Sequence, residues 1–88
     1  MVIWKTILEL TDVQTIEIPG GAEILCAREQ SERICIWYRC DPHKEKESRK
    51  IAIVGTGKTT PSVNDRYLGT ASLHGGQYMF HVFEQRPA

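Results

Sequence analysis

The stretch Tyr67-Leu68-Gly69-Thr70-Ala71-Ser72-Leu73 is followed by His74-Gly75-Gly76 and then by Gln77-Tyr78-Met79-Phe80-His81-Val82-Phe83. Two strand-like runs around a glycine pair read as an antiparallel hairpin, because both tip residues can take positive φ and so match the twist of the strands. Working back toward the N-terminus, the same grammar repeats. Ile51-Ala52-Ile53-Val54 is a short apolar run ended by Gly55-Thr56-Gly57. Arg33 to Cys40 alternates, with Ile34, Ile36, Tyr38 and Cys40 on one face and Cys35 and Trp37 between two arginines on the other. Ile24-Leu25-Cys26-Ala27 precedes it across a polar connection, Glu29-Gln30-Ser31-Glu32. Thr15-Ile16-Glu17-Ile18 alternates and stops at Pro19-Gly20-Gly21. In Trp4 to Leu10 the residues Trp4, Leu8 and Leu10 share a face against Lys5 and Glu9, and Thr11-Asp12 reads as a turn. Asp41 to Lys50 reads as a charged connection. No helical stripe of any length is present; Ser62 as an N-cap allows at most one short helical turn over 63–68. The predicted fold is all-β, a small antiparallel sandwich or partly open barrel of six to seven strands.

Size and charge bound the function. The 88 residues form one domain, 1–88, with eleven basic and eleven acidic side chains and a formal net charge of zero. Folding a chain of this mass leaves roughly 5,200 Å² exposed out of about 14,500 Å², enough for one small core and no separate catalytic domain. Zero net charge removes the electrostatic case for nucleic acid or an anionic membrane as partner. Three cysteines, Cys26, Cys35 and Cys40, are an odd number, unlike a disulfide framework. The first residues, Met1-Val2-Ile3-Trp4-Lys5, do not resemble a secretory leader, and no apolar run approaches 18 residues. A cytoplasmic protein with reduced thiols is expected.

Four segments carry residues with chemical potential. Ala52 to Thr59 nearly matches the phosphate-binding loop, but Ala52 stands where the first glycine belongs and Pro61 follows where a helix must start. A strand ended by a glycine turn explains it, and no nucleotide hydrolysis is expected. Cys40 and His43 have zinc-ligand spacing, with Cys35 and Cys26 nearby. The parity of Cys35 and Cys40 puts them on opposite strand faces, so no metal is expected. His74 and His81 sit on the last hairpin with no evident nucleophile or oxyanion donor, so no catalytic residue and no cofactor are assigned. His43 to Lys50 holds four positive and two negative charges. With Trp37, Tyr38 and Arg39 it forms an alternative reading as a weak nucleic-acid binder, against which the interspersed glutamates count.

What remains is an excess of apolar side chains. The strands at 33–40 and 77–84 carry large apolar groups on both faces, more than an 88-residue two-layer fold hides. Trp37, Arg39, Met79, His81 and Phe83 are therefore the candidate partner interface. Tyr78 to Phe83 has no Pro, Lys or other charge that would block pairing at a sheet edge. Self-association as a homodimer is expected, with a closed monomeric barrel as the competing arrangement.

Several segments taken together resemble one family. They are Ile3-Trp4-Lys5, Thr11 to Pro19, Gly21-Ala22-Glu23-Ile24-Leu25, Ile36-Trp37, Ile53-Val54-Gly55-Thr56-Gly57, Tyr67-Leu68-Gly69-Thr70, and Gly75-Gly76 followed by Phe80 to Glu84. The chain is similar, in this order and over nearly its whole length, to a family of small uncharacterised bacteriophage and prophage proteins, a domain of unknown function. The resemblance implies a phage gene product acting in the cytoplasm of an infected bacterial host. It supplies no reaction, cofactor or catalytic residue. Small phage proteins are often accessory factors, so a non-enzymatic protein that occludes a host, defence-related protein is the expectation. The alternative of another class is an oligomeric module that sequesters a small nucleotide signal where copies meet.

Overall fold

A computed structural model describes residues 1–60 and 64–86. Seven strands follow in chain order: β1 Val2–Ile7, β2 Val13–Pro19, β3 Glu23–Gln30, β4 Arg33–Cys40, β5 Lys46–Gly55, β6 Arg66–Leu73 and β7 Tyr78–Gln85. They form two sheets, β1-β4-β3 and β2-β5-β7-β6, in which every pairing is antiparallel. No helix is present among the described residues. The expected all-β architecture is the one found, as a small sandwich and not a closed barrel.

The alternation of β4 decides where the core lies. Ile34, Ile36, Tyr38 and Cys40 join the buried cluster, while Arg33 and Arg39 face solvent on the other side. Ile24 from β3 and Ile16, Ile18, Ile51, Leu68 and Val82 from the second sheet complete the same cluster, so both sheets share one core. The hairpin at Gly75-Gly76 forms as read: Leu73 pairs with Tyr78, and His74, Gly75 and Gly76 have φ of 54°, 67° and 90°. The β3–β4 connection is tighter than the four polar residues suggest. Ser31 and Glu32 alone make the turn, both at positive φ, and the Glu29 carboxylate accepts the Glu32 N–H at 2.9 Å. The Glu32 carboxylate in turn accepts the His74 N–H at 2.9 Å and ties the two hairpin tips together.

Three boundaries differ from the sequence reading. The first strand ends at Ile7, not Leu10; Leu8 then donates its N–H to Ile34 O at 2.8 Å and buries its side chain, and Gln14 bridges both backbone groups of Glu9. The charged segment 41–50 is a loop only as far as Glu45. Lys46 to Lys50 extend β5 because they pair with β2, from Pro19↔Lys46 to Thr15↔Lys50, a long-range match that their alternating charges conceal. The helical turn expected over 63–68 falls partly outside the described residues, and its second half is already β6.

The two sheets approach each other along β3 and β6 without a hydrogen-bonded ladder. Each strand carries an irregularity there, between Ile24 and Cys26 and between Tyr67 and Gly69. Gly69 lies so close to Ala27 that a Cβ would stand 2.3 Å from its carbonyl oxygen. Side chains replace the missing ladder bonds. Arg66 donates to Ile24 O at 2.8 Å, and Arg49 donates to Ala22 O at 3.0 Å. Both bonds are part-buried: Arg66 of β6 reaches β3 itself, and Arg49 of β5 reaches the residue just before β3, so each guanidinium supplies a donor to a backbone carbonyl of the other layer.

Candidate functional site

The five candidate interface residues occupy two separate places. On β4 the core side is held by even-numbered residues, so Trp37 and Arg39 lie on the outer face of the three-stranded sheet. On β7 Phe80 and Val82 face the core, so Met79, His81 and Phe83 lie on the outer face of the four-stranded sheet. The sequence patch is therefore two patches on different sheets, because strand parity fixes a face but not which sheet each strand joins.

On the first face Trp37 is half-buried opposite Lys5 of β1 and Cys26 of β3. Arg39 forms an ion pair with Glu23 on one flank and stands opposite Ile3 on the other. Ile3 and Ile7, which share this face, are 62% and 47% exposed. These β1 residues were missed as site residues. The signal was present in Val2-Ile3-Trp4 and Ile7, apolar on both parities, but a strand's position at an edge is a property of the whole sheet.

On the second face a polar chain links β6, β7 and the turn that follows β5. His81 Nε2 meets Thr56 Oγ1 at 2.9 Å, and its Nδ1 meets Thr70 Oγ1 at 3.0 Å. Thr70 also bonds the Tyr67 hydroxyl, and the Tyr67 ring packs edge-on against Phe83 at 5.6 Å. In the neutral imidazole one nitrogen donates and the other accepts, so the two threonines hold the ring in one plane. Met79 stands beside Ser72 and is 42% exposed. The pairing of β7 with both β5 and β6 corrects its reading as an unprotected edge.

The other motifs resolve as local structure. In the segment that resembles a phosphate loop, Thr56 N–H donates to Met79 O and Lys58 N–H to Gly55 O, so these amides already have backbone acceptors. Pro61 of that segment lies outside the described residues. Cys40 is in the core, Cys35 is buried on the opposite face, and Cys26 is half-buried. His43 N–H donates to Asp41 Oδ1, closing a turn. Among the described residues no three His, Cys, Asp or Glu side chains cluster as metal ligands would.

A polar groove along Thr15, Ser48, Lys50, Asp65 and Arg86 also borders the Arg49–Glu84 pair. Arg49 forks onto Glu84, with Nη2 at 3.0 Å from Oε1, and reaches Glu47 at 3.3 Å. The Glu84 hydrogen bond raises the Arg49 pKa further above its usual value, against the opposing effect of burial.

Residues 1–88 match the family described as a domain of unknown function, DUF7352. The chain belongs to this family. No curated protein and no solved structure matches it. The DUF7352 family is described without an activity. Among the described residues of this DUF7352 chain no helix is long and apolar enough to cross a membrane.

Proposed function

We propose that this protein is a phage accessory protein that works by binding, not by catalysis, in the cytoplasm of an infected bacterium. It docks on a host protein, a component of host defence, and occludes the surface that protein needs. The observation that carries this reading is the outer face around Trp37, where Ile3, opposite Arg39, and Ile7, opposite Cys35, stand open to solvent. Large apolar groups with an arginine at their rim are the composition of binding hot spots. The segment 43–50 is the weaker candidate as a nucleic-acid surface: Lys44, Lys46 and Lys50 are exposed, but Glu45 and Glu47 stand among them and Arg49 is turned to Glu84. The test is retention of a host protein from infected-cell extract on the immobilised chain. Trp37→Lys is expected to abolish retention and Phe83→Lys to preserve it. Retention indifferent to both substitutions would sink the reading.

Self-association is assigned to the other face. With β7 internal, the strand edge no longer supports a dimer there, but Met79 and Phe83 remain apolar and outward. A two-fold pairing of that face covers the same patch twice. Light scattering at micromolar concentration is expected to give twice the chain mass, falling to one chain in Met79→Lys or Phe83→Lys. One chain in the unsubstituted protein would remove the dimer.

A further inference from the structure

The three-stranded sheet ends in an edge strand. Among the described residues β1 is bonded to β4 on one side and to no strand on the other. Leu8 N–H donates to Ile34 O, and antiparallel alternation from that pair turns the backbone groups of Val2, Trp4 and Thr6 toward β4. The N–H and C=O groups of Ile3, Lys5 and Ile7 therefore point outward, along an open edge. The side chains match. Ile3 and Ile7 are exposed on the outer face, and Val2 and Trp4 are 38% and 42% exposed on the other.

Edges in soluble proteins are normally blunted by a charge, a proline or a cover. The free edge strand of the other sheet, β2, ends in Pro19 and carries Glu17. β6 lies against β3. β1 has one charge, Lys5, and its Nζ is drawn across the sheet to Gln30 Oε1 at 2.6 Å. The edge is left unguarded.

Charge selects the occupant. The outer face of this sheet carries Lys5, Arg28, Arg33 and Arg39 against Glu23 alone, and Glu23 is already paired with Arg39. The chain is neutral overall, so this face is basic relative to the rest. A second copy paired along the same edge would set two basic outer faces side by side, with Lys5 of β1 nearest the junction. A strand bearing carboxylates meets no such opposition.

We propose that β1 is the docking edge for an extended acidic segment of another protein, which adds as a fourth strand of this sheet. Its backbone pairs with Ile3, Lys5 and Ile7. Its apolar side chains cover Val2 and Trp4, and its carboxylates lie on the basic outer face, where they draw the Lys5 ammonium from Gln30 back to the edge. The inference deepens the binding reading above and rests on it.

The probes are two capped seven-residue peptides, one alternating Val with Glu and the other alternating Val with Lys, titrated into the full chain and followed by amide NMR. The Glu peptide is expected to bind and to slow exchange of the Ile3, Lys5 and Ile7 amides by at least about tenfold, the mark of newly bonded backbone groups. The Lys peptide is expected not to bind. Ile7→Pro, which removes an outward N–H and no bond to β4, should abolish binding, and Lys5→Gln should weaken it several-fold. Equal binding of both peptides overturns the acidic partner. Binding that protects the Met79–Phe83 face overturns the edge and leaves the binding reading intact. No binding of the Glu peptide ends the β1 proposal without touching the Trp37→Lys test. A dimer of the unliganded chain that Ile7→Pro dissociates gives the edge to a second copy and overturns the proposal as well.

Discussion

A methyl group at position 69 has nowhere to go. The Cβ that alanine would add stands 2.3 Å from Ala27 O and 3.1 Å from Ala27 N, both backbone atoms that cannot swing aside. Gly69→Ala is therefore expected to lower stability by roughly 1–3 kcal/mol through overpacking of the seam, read as a shift in the urea midpoint. An unshifted midpoint would mean that β3 and β6 are free to move apart. Gly75 and Gly76 differ in kind: nothing lies within 4 Å of either added Cβ, but both have positive φ. Replacing both with Val should cost on the order of 1–3 kcal/mol through backbone strain alone, measured in the same assay. The pair was legible because a turn glycine announces itself through its neighbours, two strand-like runs. Gly69 was not, because what demands glycine there is a residue 42 positions away in another sheet.

At the level of elements, β4 and the β6–β7 hairpin could be read locally, since alternation and tip chemistry are written in consecutive residues. The polar half of β5 could not. Lys46 to Lys50 look like a solvated loop until β2 lies beside them. Within β5, Arg49 holds Glu84 of β7, the Ala22 carbonyl and Glu47 at once, with both charged groups of the main pair largely buried. Glu84→Ala leaves that guanidinium without its main partner and is expected to cost about 2–4 kcal/mol, seen as a lower Tm. Arg49→Lys should recover little of what Arg49→Ala loses, because an ammonium cannot fork onto the same acceptors. Full recovery by lysine would reduce the clip to a simple charge. The raised Arg49 pKa stabilises the fold below the unfolded arginine value and is lost only as pH rises through the folded one, above the usual arginine range. Arg49 itself therefore gains or loses no proton near neutral pH and adds no pH dependence to stability there.

At the scale of the whole molecule, the chain exposes 5,774 Å², about a tenth more than the roughly 5,200 Å² expected of its mass. The excess fits a flat body, 39 × 32 × 16 Å, whose β1 is exposed on both faces. β1 should also be the least protected strand. The bonded amides of Trp4 and Thr6 are expected to exchange well before those of Ile51 and Val82 in native-state hydrogen exchange. Exchange of all four at one rate would show a single cooperative unit. The candidate site was half legible for the same reason as the fold. Trp37 and Phe83 could be named as surplus apolar groups, but their assignment to separate faces, and the openness of β1, depend on which strands become neighbours. The arginine-bridged seam has a mechanical consequence. Within each sheet a sideways pull loads a row of ladder bonds together. Between β3 and β6 a pull meets one guanidinium bridge, from Arg66 to the Ile24 carbonyl, in place of a ladder. Stretched between handles on β3 and β6, the molecule should open like a book along this spine, at lower force than either page tears.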